Sequence, residues 1–218
     1  TREFDENEYL MMVTKYGTVK RIPFIALKTN RKGGIRAITL DEGDQLINVI
    51  RTNGNDNIIL ATREGMAICF NENDVRPTGR TSMGVIGMTL EDDDEVIGMQ
   101  LSCQGEYLLF VSENGYGKRT AVSEFKLQNR GGKGVKCYNI IEKTGNVVGM
   151  KAIDEQDEIM MITTAGIIIR ICCGDISVLG RITSGVKLMN ISEENISVAS
   201  ITKVRETEEE TTEEIVEE

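Results

Sequence analysis

Glycines recur along this chain at a step of about fifty residues, each time in the same local setting. Gly34, Gly84, Gly134 and Gly185 are each followed by Ile or Val, and each is preceded three or four residues earlier by an arginine: Arg31, Arg80, Arg130 and Arg181. A second series, Gly17, Gly65, Gly115 and Gly166, keeps nearly the same step. A fixed period of this length means one supersecondary unit used four times. It also sets one arginine per unit at the same phase, so four cations are expected along one surface.

The units run over about 8–54, 55–105, 106–156 and 157–205. Each opens with a short run of apolar residues rich in branched and aromatic types, such as Tyr9–Val13, Ile58–Ala61, Tyr107–Val111 and Ile159–Ile162. Runs of this length suit a buried strand better than a helix. A polar turn ending in glycine follows (Lys15–Gly17, Arg63–Gly65, Glu113–Gly115, Thr164–Gly166), and glycine supplies the positive φ of a tight hairpin. A second strand comes next (Thr18–Ile22, Tyr116–Thr120), then the arginine–glycine loop and a third strand such as Ile35–Ile38 or Val186–Met189. An acidic turn leads to a fourth strand (Gln45–Ile50, Glu95–Met99, Asn146–Met150, Ile196–Ser200). Four short strands per unit predict an all-β, propeller-like domain of four blades over residues 1–205. A lone four-stranded sheet cannot bury both faces, whereas blades packed on one another can. An array of immunoglobulin-like sandwiches would need units about twice as long.

There is no histidine among the 218 residues. That removes the usual general base, most zinc sites and every Ser–His or Cys–His nucleophile pair. No carboxylate or tyrosine constellation stands out, so no catalytic residue and no metal site are expected in this chain. The five cysteines, Cys69, Cys103, Cys137, Cys172 and Cys173, are odd in number and lack framework spacing, as expected for reduced thiols in the cytoplasm. No apolar run approaches eighteen residues, and the first residues carry no apolar signal-like core. The chain begins at Thr1 without a methionine, as a piece of a longer protein would.

The net charge is −10, but it is unevenly spread. Eight glutamates and no cation lie in 206–218, a stretch expected to be a disordered acidic tail. Within the units, cations gather in the second strand, the arginine–glycine loop and the third strand: Lys20, Arg21, Arg31, Lys32 and Arg36; Arg76 and Arg80; Lys118, Arg119, Lys126, Arg130, Lys133 and Lys136; Arg170, Arg181 and Lys187. Acids gather in the turn before the fourth strand, at Asp41–Asp44, Glu91–Glu95 and Glu193–Glu194, while the third unit has Glu142–Lys143 there. Loops of equal phase share one rim of a propeller, so a basic rim and an acidic one are expected. Arginine forks and glycine amides both donate to phosphate oxygens, and solvated charged loops are the ordinary alternative. Without an intruding aromatic or helix, contact with a nucleic acid would be to charge and shape, not to base edges.

Gln128-Asn-Arg-Gly-Gly-Lys-Gly134 resembles the glycine–arginine box in the C-terminal domain of DNA gyrase A proteins, with Asn129 in place of the family's usual arginine. Thr18–Ile22, Asn73–Arg80, Glu113–Arg119 and Ser177–Arg181 are similar to further blade segments of that family, so the likeness covers about residues 8–205. The resemblance implies a β-pinwheel, here four blades corresponding to the last four of a usual six. It implies wrapping of duplex DNA in support of ATP-dependent negative supercoiling by a type IIA topoisomerase. The implied partners are double-stranded DNA, the gyrase A breakage–reunion domain and the gyrase B protein, with ATP and magnesium serving the whole enzyme and no cofactor on this chain. The implied place is the bacterial cytoplasm, at the nucleoid. The related C-terminal domain of topoisomerase IV and a protein-docking propeller are the alternatives. Expected contacts are Arg31, Lys32, Arg80, Arg130, Lys133 and Arg181, the glycines Gly131, Gly132 and Gly134, and Arg36, Lys118, Arg119, Lys136 and Lys187 as secondary contacts.

Overall fold

In the computed structural model, which describes residues 4–191 and 195–204, every unit opens with an antiparallel hairpin. The hairpins are β1 (Tyr9–Thr14) with β2 (Thr18–Pro23), β4 (Asn57–Thr62) with β5 (Met66–Asn71), β8 (Tyr107–Ser112) with β9 (Tyr116–Ala121), and β12 (Glu158–Thr163) with β13 (Ile168–Cys172). A longer return strand lies on the other side of each first strand: β3 (Leu46–Thr52), β7 (Val96–Leu101), β11 (Val147–Ile153) and β15 (Val198–Lys203). Each return strand carries a register shift at the same phase, opposite Val13/Thr14, Ala61/Thr62, Val111/Ser112 and Ile162/Thr163. The acidic tail expected over 206–218, and Glu193–Glu194 of the last acidic turn, lie outside the described residues.

The apolar runs are continuous because both faces of the inner sheets are covered. In β4, Ile58 and Leu60 face Met11 and Val13 of the first blade, while Ile59 and Ala61 face Leu108 and Phe110 of the third. In β8, Leu109 and Val111 turn the other way, onto Ile159 and Met161 of the fourth. The core is thus three slabs between four blades. Return strands touch in chain order, β3 to β7, β7 to β11 and β11 to β15, and among the described residues no contact of similar extent joins β15 to β3.

The units are not the self-contained blades that the repeat suggests. The third strand of a unit joins the blade before it: β6 (Val85–Ile86) pairs with β2, β10 (Val135–Lys136) with β5, and β14 (Val186–Lys187) with β9. A short 3-10 turn after each second strand carries the chain out of its own sheet. Glycine then permits the close approach: a Cβ on Gly84 would lie 2.5 Å from Val19 O, and one on Gly185 2.6 Å from Gly117 O. Among the described residues the first three sheets therefore hold four strands and the fourth holds three. Ile35–Ile38, expected as a third strand, forms none, because no earlier blade among the described residues receives it.

Burial also sorts the thiols. It pushes Cys137 up to about 12 and Cys69 and Cys173 up to about 11, while Cys103 and Cys172 are exposed. Thiol labelling of the native chain at neutral pH is expected to modify Cys103 and Cys172 alone; rapid labelling of Cys137 without denaturant would contradict this packing.

Candidate nucleic-acid interface

Each arginine–glycine loop after the first is clamped to the second strand of the preceding blade. Thr78 N donates to Arg21 O at 2.9 Å, Gln128 N to Cys69 O at 2.8 Å and Leu179 N to Arg119 O at 2.8 Å. The loops are also tied to one another: Thr39 N donates to Ser82 O (3.3 Å), Thr89 N to Gly132 O (3.0 Å) and Asn139 N to Thr183 O (3.0 Å). Four loops of equal phase thereby become one continuous strip, held by backbone bonds that do not depend on side-chain identity.

The strip exposes Arg31, Lys32, Arg36, Lys133, Lys136 and Lys187, and half-buries Arg80, Arg130 and Arg181. Two of the repeat arginines have structural duties. Arg130 donates from Nε to Asp74 O at 3.1 Å and from Nη1 to Ile86 O, and Arg181 donates from Nη1 to Lys136 O at 3.0 Å. Each guanidinium therefore fastens its loop to the third strand of the unit before. Arg181 also lies 3.9 Å from Glu124 Oε2. Among the described residues, Lys136 and Lys187 meet only the neutral Asn139 and Asn190 side-chain oxygens, at 3.3 and 2.8 Å, and both are exposed.

The glycines divide. Gly131 N is already used, donating to Gly87 O at 2.8 Å. Gly134 is pressed on the Ala67 carbonyl, and Gly132 alone of the three is exposed. Lys133 forms an exposed ion pair with Glu91, which holds its ammonium above the usual range. That pair also qualifies the expected division into a basic and an acidic rim. The acidic turns cap hairpins, with Asp44 Oδ1 accepting from Tyr16 N and Asp94 Oδ1 from Glu64 N, both at 3.0 Å, and Glu91 reaches from there to the strip.

Lys118 and Arg119, expected as secondary contacts, are 0% and 4% exposed. The exchanged strand and loop of the fourth unit cover them, so they meet backbone carbonyls instead of solvent. Lys118 Nζ donates to Gly180 O (2.8 Å) and Arg181 O (2.6 Å), and Arg119 to Ile176 O (2.7 Å) and Gly174 O (3.0 Å). Lys20 and Arg21 repeat this in the first unit: Lys20 Nζ donates to the carbonyls of Ala37, Arg80 and Ser82. A clue was present in the sequence. The Lys20/Lys118 phase is occupied by Ile68 and Ile169 in the other units, an alternation that suits a buried slot. Conversely, Arg76 and Lys126 share a phase four residues before Arg80 and Arg130, are exposed, and extend the cationic strip beyond the expected contacts.

Burial pushes the Lys118 ammonium down to about 8. Below that pH the lysine is charged in both folded and unfolded chains, and its desolvation cost is felt in full. Between about 8 and the ordinary value of 10.5 the unfolded chain holds a proton that the folded one releases, so stability rises with pH. Relative to Lys118→Met, the parent is expected to gain up to about 3 kcal/mol across that window. Parallel stability–pH curves for the two proteins would contradict it.

A family model described as DNA gyrase C-terminal domain, beta-propeller, matches residues 8–53, 56–103, 106–154 and 157–202. Over 198 residues the chain is 42% identical to the DNA gyrase A protein of Ureaplasma parvum, covering 90% of this chain and 24% of that protein. The DNA gyrase A protein of Kosmotoga olearia is 43% identical over 206 residues, 93% of this chain and 25% of that relative. The chain thus spans about a quarter of the length of these curated relatives. A solved DNA gyrase A C-terminal domain superposes with a TM-score of 0.83 at 30% identity, over 93% of this chain and 68% of that one. The C-terminal domain of a DNA topoisomerase IV does so with 0.87 at 28% identity, over 94% and 64%.

Proposed function

The chain belongs to the family of DNA gyrase C-terminal domains, and we propose on that premise that its strip of linked loops binds duplex DNA and bends it along the perimeter. The observation that carries this reading is the alignment of cations at two phases of the linked loops, Arg31 and half-buried Arg80 before the loop glycine and Arg36, Lys136 and Lys187 after it. Bending 20–30 bp costs about 1–6 kcal/mol, and a row of phosphate contacts offsets it. No base-reading element accompanies the row, so recognition is of charge and deformability. Within a whole type IIA topoisomerase, in the bacterial cytoplasm, the bent duplex would be handed to the breakage–reunion domain and the gyrase B protein. ATP and magnesium would serve those parts, not this chain. The likeness to a topoisomerase IV domain leaves the supercoiling outcome to an assay of the whole enzyme.

The triple variant Arg36→Ala/Lys136→Ala/Lys187→Ala is expected to weaken duplex binding at least about tenfold near 0.1 M salt, equally for unrelated sequences. Unchanged affinity would remove the strip as the DNA surface and favour a protein-docking role.

A further inference from the structure

We propose that Glu91 masks a phosphate contact at Lys133 and thereby sets how many phosphates the strip of linked loops engages. The inference rests on the strip's being the duplex-binding surface. Lys133 lies between Gly132 and Gly134, whose lack of side chains lets a phosphate approach closely. Its side chain is 66% exposed, and that of its partner Glu91 65%. Nothing steric keeps a phosphate from this ammonium; what keeps it away is the carboxylate.

The main chain holds the acid in place without help from the ion pair. Thr89 donates to the lysine's own loop, from N to Gly132 O at 3.0 Å and from its hydroxyl to Gly131 O at 2.7 Å. Gly131 N donates back to Gly87 O at 2.8 Å. On the other side, Asp94 N donates to Glu91 O at 3.2 Å and closes the turn whose Asp94 carboxylate caps the second hairpin. An exposed pair between two free-swinging side chains is worth little. Here the acid's backbone is fastened to the lysine's loop and to a capped turn, so a negative charge stays near the ammonium even when the contact opens. An arriving phosphate meets a site of no net charge.

Comparison of the three loop junctions shows that the fold does not need this pair. Thr39 binds the second loop as Thr89 binds the third, with its hydroxyl on Thr81 O at 3.0 Å, and Asn139 binds the fourth, with Nδ2 on Ser184 Oγ at 3.1 Å. Two residues beyond Thr39 stands Asp41, but the residue at the Lys133 phase there is Met83, 46% exposed. Two residues beyond Asn139 stands Ile141, and the Lys133 phase holds Ser184. The first and third junctions keep the same backbone link with no charge pair across it. Only the middle one sets an acid against a cation, and it does so at the strip's surface, where the pair changes the field that a duplex meets.

Glu91→Gln keeps the side chain's shape and removes its charge. It is expected to bind a duplex of about 30 bp roughly three- to tenfold more tightly than the parent near 0.1 M salt, and to steepen the log–log salt slope by about 0.9, the share of one added phosphate. Asp92→Asn takes the same charge from the same exposed turn, and among the described residues Asp92 pairs with no cation. It should leave the slope at the parent's value. Glu91→Gln/Lys133→Ala should bind no more tightly than the parent, because the gain works through the lysine. Melting curves check that all three variants fold. An unchanged affinity or slope in Glu91→Gln, an equal gain from Asp92→Asn, or a gain that survives the loss of Lys133 would overturn the mask and leave the strip standing. A parent slope near zero would overturn both.

Discussion

The affinity of this chain for duplex DNA is expected to fall about a thousandfold as salt rises from roughly 50 to 200 mM. Arg31, Lys32, Arg36, Arg80, Lys136 and Lys187 bring their charges to the strip with no carboxylate paired to them among the described residues. Six phosphates neutralised at about 0.9 counterions each give a log–log slope near −5, and a fourfold rise in salt then costs roughly three decades. Lys133 stands outside this count because Glu91 already neutralises it. The triple variant Arg36→Ala/Lys136→Ala/Lys187→Ala should flatten the slope by nearly three. Competition titrations at several salt concentrations measure both slopes. A parent slope close to zero, or one that the triple variant leaves unchanged, would rule out the strip as a phosphate track.

Replacing Glu72 by alanine is expected to be among the most damaging single changes in the fold. The side chain is 0% exposed, at the junction of the first two blades. Oε1 accepts the amides of Gly54 and Asp56, both at 2.8 Å, and Oε2 accepts the Thr52 hydroxyl at 2.7 Å. Arg21 Nε lies 3.1 Å from Oε2 without hydrogen-bond alignment, so the attraction there is between charges. The same guanidinium lies over the Tyr9 ring at 3.8 Å and donates to Asn73 Oδ1 at 2.9 Å. Removing one partner of a buried pair strands the other, at about 3–5 kcal/mol, and for a domain of this size that lowers Tm by roughly 6–20 °C. Arg21→Met/Glu72→Met should lose less than Glu72→Ala, because neither charge is then left alone. Calorimetry of the three proteins decides; a shift below about 2 °C for Glu72→Ala would show that the junction does not depend on the pair.

Much of the architecture was legible in the chain itself. Tyr9–Thr14, Asn57–Thr62, Tyr107–Ser112 and Glu158–Thr163 are strands because each is a short branched-apolar run ended by a glycine turn, and they recur at one period. Which sheet receives Val85–Ile86 was not legible. A repeat looks the same whether its third strand folds back on its own unit or crosses to the previous one, since crossing shifts every blade by the same step. That ambiguity reached the site. Lys118 and Lys136 are both lysines near glycine, yet the first is enclosed by an exchanged loop and the second stands on its outer side.

Sequence alone determined the period, the strand class, the phase of the loop cations and the kinship with gyrase C-terminal domains, because these depend on residue type and spacing. Only the tertiary structure decided which cations face outward, that Arg130 and Arg181 fasten their loops, and that Gly84, Gly134 and Gly185 press on the preceding blade. The physical reason is that burial and pairing are relations between units. A side chain's charge is written in its own residue, whereas its solvent is set by a strand of the next unit.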